Sequence, residues 1–524
     1  MSLLFRSTHL KRAINLQVNG FIFSLFFAVS INSTAHSRGA DLPIVTIKYS
    51  ESVSASEKQP FFNEDDDEEL GDEKQASEDD GDGDNVYYGS GIFGAGNASG
   101  HLYNTAMGYQ SLYANTTGSR NVAMGYQTLY SNTEGNNNVA IGYSALYANT
   151  TSTSNIAIGS WALYKNDGGG NIAIGVSALK NETNTNNCIA IGYEALLECG
   201  SGSYGYTTAI GHQSLKNNTT GGDNTAIGYR TLYRNTSGYG NTAIGVWALY
   251  ENTTGYSNSA VGYYSLYNNT TGYQNVAIGR RALGKNTTGF RNTATGWRSL
   301  YWNTSGSNNT ASGHYASYYN KTGDYNVAIG SRALESNSSG SYNIAIGHKA
   351  GFIVKGDHNI ALGNDALSNA ITGDHNIAIG YKALYSGTSD NNIAVGYQSL
   401  YTTTTEGNLT AIGYQAAYAN TSGSGTVAVG YQALKANTIG EYNTAMGYQA
   451  LTANTTGGWN FAAGYQSLFS NTTGASNTAS GYRALYSNTT GDSNIAIGSH
   501  SLYSNTTGGD NTAVGIYTLY SNTT

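Results

Sequence analysis

The sequence predicts an all-β chain built as a parallel β-solenoid of about 25 coils of 17 residues, and three observations carry that prediction. A glycine recurs 25 times from Gly108 to Gly515, at intervals of 17 residues nearly everywhere, with 16 before Gly175, Gly363 and Gly396 and 19 before Gly211. Of these glycines 21 close an Asn-x-Ala-x-Gly stretch, with Cys188, Thr207, Leu409 and Thr426 in place of the Asn in the other four, and the stretches are rich in β-branched residues, which reads as a short strand. Proline occurs only at Pro43 and Pro60, ahead of the repeats. That suits a stack of strands in which a ladder N–H lost in every coil would be costly. Seventeen residues are too few for a helical-hairpin repeat, and Gly, Thr and Asn are poor helix interior residues.

In chain order, residues 1–35 read as a secretory signal. Arg6, Lys11 and Arg12 are followed by the mostly apolar run Phe21 to Ile31, and Ser33 and Ala35 are the small residues before an expected cut. That run is too short to span a bilayer comfortably. Residues 36–85 are expected to form a disordered linker, since 15 acidic residues and 2 lysines lie between Glu51 and Asp84 and such a stretch buries too little apolar surface to offset chain entropy. Residues 86–103 read as a degenerate first coil, with Gly91 placed seventeen before Gly108, and residues 104–524 as the repeats. Residues 85–524 carry a net charge of +1, which is no basic footprint for nucleic acid. Cys188 and Cys199 fall in one repeat, each where other repeats carry Asn. They make neither a disulfide framework nor a zinc pattern.

Numbering the unit from its Asn, the first coil has Asn104 at position 1, Ala106 at 3, Met107 at 4, Gly108 at 5, Leu112 at 9, Asn115 at 12 and Gly118 at 15. Position 3 is Ala in all 25 units, and position 9 is Leu in 22, the exceptions being Ser317, Gly351 and Ala417. The alanines are expected to point inward against the leucines, and the asparagines at positions 1 and 12 to stack as amide ladders. The glycines at positions 5 and 15 read as corners of positive φ. Positions 7 to 10 read as a second strand or one helical turn. If position 3 points in, position 4 points out, yet it is Ile, Val, Met or Leu in 21 units. Met107, Ile141, Ile158, Ile227, Ile244 and Ile278 are therefore candidates for an interface with another copy of the chain.

The serial Asn-x-Ala-Ile-Gly strands, as in residues 155–159, 224–228 and 275–279, resemble the head repeats of trimeric autotransporter adhesins of the YadA type. The resemblance covers roughly residues 104–524. It implies a left-handed parallel β-roll, packed as a homotrimer through one face of each roll. It also implies cell adhesion through host, matrix-protein or glycan ligands on the outer face, and no catalytic residues. The coil here is longer than that family's usual head repeat, and neither its heptad stalk nor its anchor strands occur within residues 1–524.

The chemistry expected of the chain is that of a binding surface. Tyrosine recurs at position 6, including Tyr109, Tyr126, Tyr143 and Tyr229, and at position 10, including Tyr113, Tyr130, Tyr147 and Tyr233. Aromatic rows bordered by Thr and Asn suit glycans or extended proteins, so these are the ligand-contact candidates. His358 and His375 share a repeat position beside Asp357 and Asp374, but a metal site would need further ligands, so neither metal nor cofactor is expected. Asn-Thr-Thr, an N-glycosylation acceptor pattern, occurs at eleven positions from Asn115 to Asn522. The expected function is a non-enzymatic, exported adhesin, secreted or held at the cell surface, and associated with an outer membrane if an anchor is supplied. The alternatives are a structural fibre or coat without a specific ligand, and an ice- or mineral-binding solenoid.

Overall fold

The computed structural model describes residues 13–18, 21–26, 85–94 and 102–524, apart from 182–183, 200–204, 370–371, 404 and 406. The chain divides into two units, Met1–Glu69 and Leu70–Thr524. In the first, β1 (Ala13–Val18) pairs antiparallel with β2 (Phe21–Phe26). The rest of the expected leader and the acidic stretch 36–84 lie outside the described residues.

The second unit is a parallel β-solenoid. Three-residue strands run from β3 (Val86–Tyr88) and β4 (Thr105–Met107) to β28 (Thr512–Val514), and no helix forms among the described residues. Each strand pairs in parallel with its neighbours in sequence, and the end strands β3 and β28 each pair on one side only. Alanine sits opposite alanine from coil to coil, as in Ala226 with Ala243. A slip of one residue would turn this methyl row outward and bring the bulkier position-4 row in. β3 corrects one expectation. Its register sets Val86 against Thr105, so the corner equivalent to Gly108 is Gly89 (φ 133°) and not Gly91.

The core is thin and continuous, as the repeat predicts. Ala106 and Leu112 and their counterparts are buried as far as Leu502, as in Ala226, Leu232, Ala243 and Leu249, whereas Leu519 is 49% exposed. A third inward row is position 8, always Ala, Ser or Thr, as in Ser111, Thr128 and Ala145. Its small side chains leave room for the leucines in so narrow a coil. One coil compensates internally. Gly351 stands at the leucine position, and Val354, three residues on, supplies the buried apolar group where other coils have Asn.

Positions 6 to 12 are neither strand nor helix. Positions 7 and 9 take left-handed backbone, as in Gln110 (φ 53°) and Leu112 (φ 50°). This conformation costs a non-glycine residue roughly 1–2 kcal/mol. Burial of a leucine stabilises by about 1.5–3 kcal/mol, and the same backbone aims its N–H groups along the stack. Gln127 N–H donates to Tyr109 O in the coil before (2.8 Å), while Leu112 N–H donates to Thr128 O in the coil after (3.0 Å). Backbone polar groups are thereby bonded between coils well beyond the strands, which buried backbone requires.

The asparagines form the expected ladders, and they also close each coil on itself. Asn104 Nδ2 (2.8 Å) and Asn115 Nδ2 (3.0 Å) both donate to the carbonyl of Gly118. Their oxygens face the next coil, where Asn104 Oδ1 accepts the Asn121 N–H (2.9 Å) and Asn115 Oδ1 accepts Asn132 Nδ2 (2.9 Å). The two glycines of the repeat therefore serve different needs. Gly125 has φ 134°, and a Cβ there would lie 2.3 Å from Gly142 O. Gly118 does not have the positive φ expected of it. It is glycine because a Cβ would meet Asn115 Oδ1 at 2.4 Å and Asn132 Nδ2 at 2.6 Å.

Two substitutions test this packing. Ala243→Leu forces extra methylenes into a sealed row, and Asn252→Ala strips donors from Asn235 Oδ1 and Gly255 O. Each is expected to cost about 1–3 kcal/mol, measured by urea unfolding, with amide exchange accelerating most in the adjoining coils because contacts reach only neighbours. Unchanged exchange in either variant would contradict the packing described.

Candidate functional site

The coil's inward positions are alike along the stack, so differences that concern a ligand must lie outside. Along β4 the side chain of Ala106 points in while Thr105 and Met107 point out. The position-4 row is half-exposed: Met107, Ile158, Ile227, Ile244 and Ile278 are 36–45% accessible, and Ile141 somewhat less. Nothing within a coil covers it. The row is interrupted by Thr295, Ser312, Ala463 and Ser480, whose strands pair like the others.

The tyrosines form two rows of stacked rings. At position 6, Tyr109, Tyr126 and Tyr143 are exposed and stack at 5.3 and 5.0 Å, while Tyr229 stacks on His212 at 5.3 Å. At position 10, Tyr113, Tyr130 and Tyr147 are half-buried and nearly parallel, at 4.9 and 5.0 Å with 3° between planes, and Tyr233 stacks on Tyr250 at 5.2 Å. The coil repeat sets this spacing, because each tyrosine hangs from backbone bonded to the next coil. A longer position-6 row runs unbroken through seven coils from Tyr381 to Tyr482, with neighbours 5.0–5.2 Å apart. None of its tyrosines is among the ligand-contact candidates named from the sequence, although an uninterrupted run at one repeat position was the signal available. Since each ring face meets its neighbour, the rows present ring edges and hydroxyls to solvent.

Burial first, then the neighbouring Tyr130 and Tyr164, push the Tyr147 phenol above its ordinary value, and burial followed by Glu251 and Tyr250 does the same to Tyr267. A raised folded-state phenol means that the unfolded chain ionises first, so stability is unaffected below the unfolded value and falls above it. Thermal unfolding is therefore expected to be flat in pH on this account until about pH 10 and to drop beyond it. Tyr147→Phe should lessen the drop, and an unchanged alkaline slope would refute the assignment.

The other candidate groups have structural partners. His358 and His375 stack at 5.0 Å, and Tyr342 extends the stack at 4.9 Å. Asp357 and Asp374 serve as axial acceptors, Asp357 Oδ1 for the Ser341 N–H and Asp374 Oδ1 for the Asp357 N–H, both at 2.7 Å. Among the described residues no group of three or more His, Cys, Asp or Glu side chains is placed to hold a metal, and no helix is long and apolar enough to cross a membrane. Cys188 and Cys199 occupy positions 1 and 12 of one coil, both buried, where they replace both amides of the clasp.

The eleven Asn-Thr-Thr tracts put their asparagine at position 12, inside the ladder. Asn286 is fully buried and its Nδ2 donates to Asn269 Oδ1 (2.7 Å) and Gly289 O (2.9 Å). A glycan on that nitrogen is incompatible with the closed coil. Asn408, in Asn-Leu-Thr, is exposed. Glycopeptide mapping after secretion from a eukaryotic host is expected to find sugar on Asn408 and none on Asn286. Occupancy of Asn286 in folded protein would overturn the ladder.

Comparisons with family models, with curated proteins and with solved structures returned no match.

Proposed function

We propose that this chain is an exported, non-enzymatic adhesin of a cell surface or extracellular matrix. It binds extended ligands through weak contacts repeated from coil to coil. The observation that carries this reading is the pair of outward tyrosine rows at one-coil spacing. Phenol edges and hydroxyls offer both apolar contact and hydrogen bonding, and identical sites held on one scaffold raise effective concentration without any strong single contact. The resemblance to the YadA-type head supports the same reading, with a homotrimer as the assembled state and a host, matrix or glycan ligand as the partner.

Self-association has its own support in the position-4 row. A long apolar stripe on a soluble chain marks an interaction surface, and a parallel copy offers a row of the same pitch. Ile227→Thr, Ile244→Thr and Ile278→Thr combined reproduce what Thr295 already supplies within its own coil, so the solenoid is expected to keep its β-sheet circular dichroism. Sedimentation equilibrium is expected to give an oligomer for the natural chain and a single chain for the triple variant. A natural chain that sediments as a monomer removes the assembly from the proposal. A glycan and matrix-protein array tests the adhesin itself, and no binding on it leaves the structural fibre as the better reading.

A further inference from the structure

Cations are unevenly distributed along the solenoid. Residues 280–355 hold nine Lys and Arg against two acids, Asp324 and Glu335, a net of +7 within a body whose total is +1. Four of these cations share position 7 across five successive coils, namely Arg281, Arg298, Arg332 and Lys349, with Tyr315 at the third step. Axial bonds hold their backbone in line, with Arg298 N–H donating to Arg280 O (3.0 Å) and Arg332 N–H to His314 O (2.9 Å).

Folding alone does not ask for this column. From Gln398 to Gln466 the same position is filled by glutamines whose amides bond from coil to coil at 2.9–3.2 Å. Like charges one coil apart repel instead. Arg332 is neutralised by Glu335 at 2.6 Å. Arg298 lies over the rings of Trp297, Tyr301 and Tyr315 and donates to Tyr315 Oη (2.8 Å), while its Nε, shut off from solvent, has no partner. A local choice that costs stability where a neutral solution exists points to function.

Two surface cavities open on this same stretch. One is lined by Arg298, His314, Tyr315, Tyr318, Arg332 and Glu335, among others. The other exists because Gly284 takes the place of a position-10 ring between Tyr267 and Tyr301, leaving a notch walled by Tyr264, Tyr267, Asn268, Arg281, Lys285 and Tyr301. Two cations, three phenols and an amide around one gap suit a sugar ring that carries a carboxylate or sulfate. The cations take the anion, and the phenols and amide take hydroxyls.

We propose that a linear polyanionic polysaccharide binds along the column Arg281–Arg298–Arg332–Lys349, with one acidic sugar seated in the notch at Gly284. This rests on the adhesin reading and names its ligand class. The cations stand one coil apart at Arg281–Arg298 and at Arg332–Lys349 and two coils apart across Tyr315, a spacing that a linear chain with one charge per sugar can follow. Single-stranded nucleic acid fits less well, because it needs a succession of open aromatic faces for its bases, whereas Tyr301 offers only the face toward the notch, its other face being stacked on Tyr318 at 5.5 Å.

The test uses immobilised polygalacturonate and dextran sulfate, with neutral dextran and oligo(dT) as controls, and the natural chain beside two variants. Arg281→Gln, Arg298→Gln and Lys349→Gln combined install the residue this position carries in other coils. Gly284→Tyr closes the notch with the residue found in the adjoining coils, pushing back the Tyr301 ring that a Cβ there would meet at 2.9 Å. The natural chain is expected to bind at least one charged polysaccharide and to be released by salt. The triple variant should bind about tenfold or more weakly, with a salt slope lower by about one per cation removed. Gly284→Tyr should weaken binding several-fold and leave the salt slope unchanged. If the triple variant folds poorly, Gly284→Tyr and the salt series on the natural chain carry the test. No retention on either charged matrix, equal retention of natural and variant chains, or tighter binding to oligo(dT) each overturns the proposal. Sedimentation of the variants should match the natural chain, so failure here is distinguishable from failure of the proposed assembly.

Discussion

Most coils are closed at one carbonyl. The side chains of positions 1 and 12, eleven residues apart in sequence, both donate to the oxygen of the position-15 glycine. That convergence clasps a loop with too little apolar content to collapse by itself. Because the two amide oxygens point along the stack, the clasp of one coil is also the seat of the next. Buried amides are costly when unpaired, and here most are paired with backbone of their own coil and with the adjacent coil. The thin Ala–Leu–small core follows from this, since a closed contour with an Asn on either side of its corner leaves room for little else. Leucine is held in left-handed backbone at position 9 for the same reason, as that conformation bonds its N–H along the stack while the side chain fills the interior.

Once the inside is settled by positions 1, 3, 5, 8, 9, 12 and 15, the outward side chains are held to fewer constraints. Positions 6, 7, 10, 11, 16 and 17 can change without altering the contour, and they do change. Position 6 runs as tyrosine for seven coils from Tyr381, and position 7 runs as glutamine over Gln398–Gln466 but as cation around Arg298. A surface that varies over an unvarying frame separates the question of what this chain does from the question of how it folds.

Much of this was legible from recurrence within one chain. An alanine in every unit had to face a crowded interior, and Ala106 does. Asparagine at two fixed positions had to be bonded, and both are. What recurrence could not supply was geometry that depends on the third dimension. Position 8 escaped notice as core because Ser, Thr and Ala alternate there, mixing polar with apolar types, whereas burial at that point selects for size. The glycines at 5 and 15 look alike in sequence, yet Gly125 answers to backbone φ and Gly118 to the amide beside it. Gly91 kept the period while the strand register chose Gly89. The stretch from position 6 to 12 fitted neither a period of 2 nor one of 3.6, because alternating backbone handedness, as at Gln110 and Leu112, has no side-chain periodicity of its own.

Charge illustrates the same limit from the other direction. A body total of +1 argued against a nucleic-acid partner, and as a statement about the whole solenoid it was sound. In a compact globule such averaging loses little, because distant residues share a surface. In a solenoid, sequence distance is axial distance, and charges more than a few coils apart lie beyond the Debye length of roughly 8 Å at physiological salt. Each few-coil segment therefore carries its own electrostatics, and the +7 of residues 280–355 is not offset by acids elsewhere along the stack. For repeat architectures the meaningful quantity is net charge per screening length, and by that measure the segment around Arg298 is a strongly cationic surface on a frame whose other residues net −6.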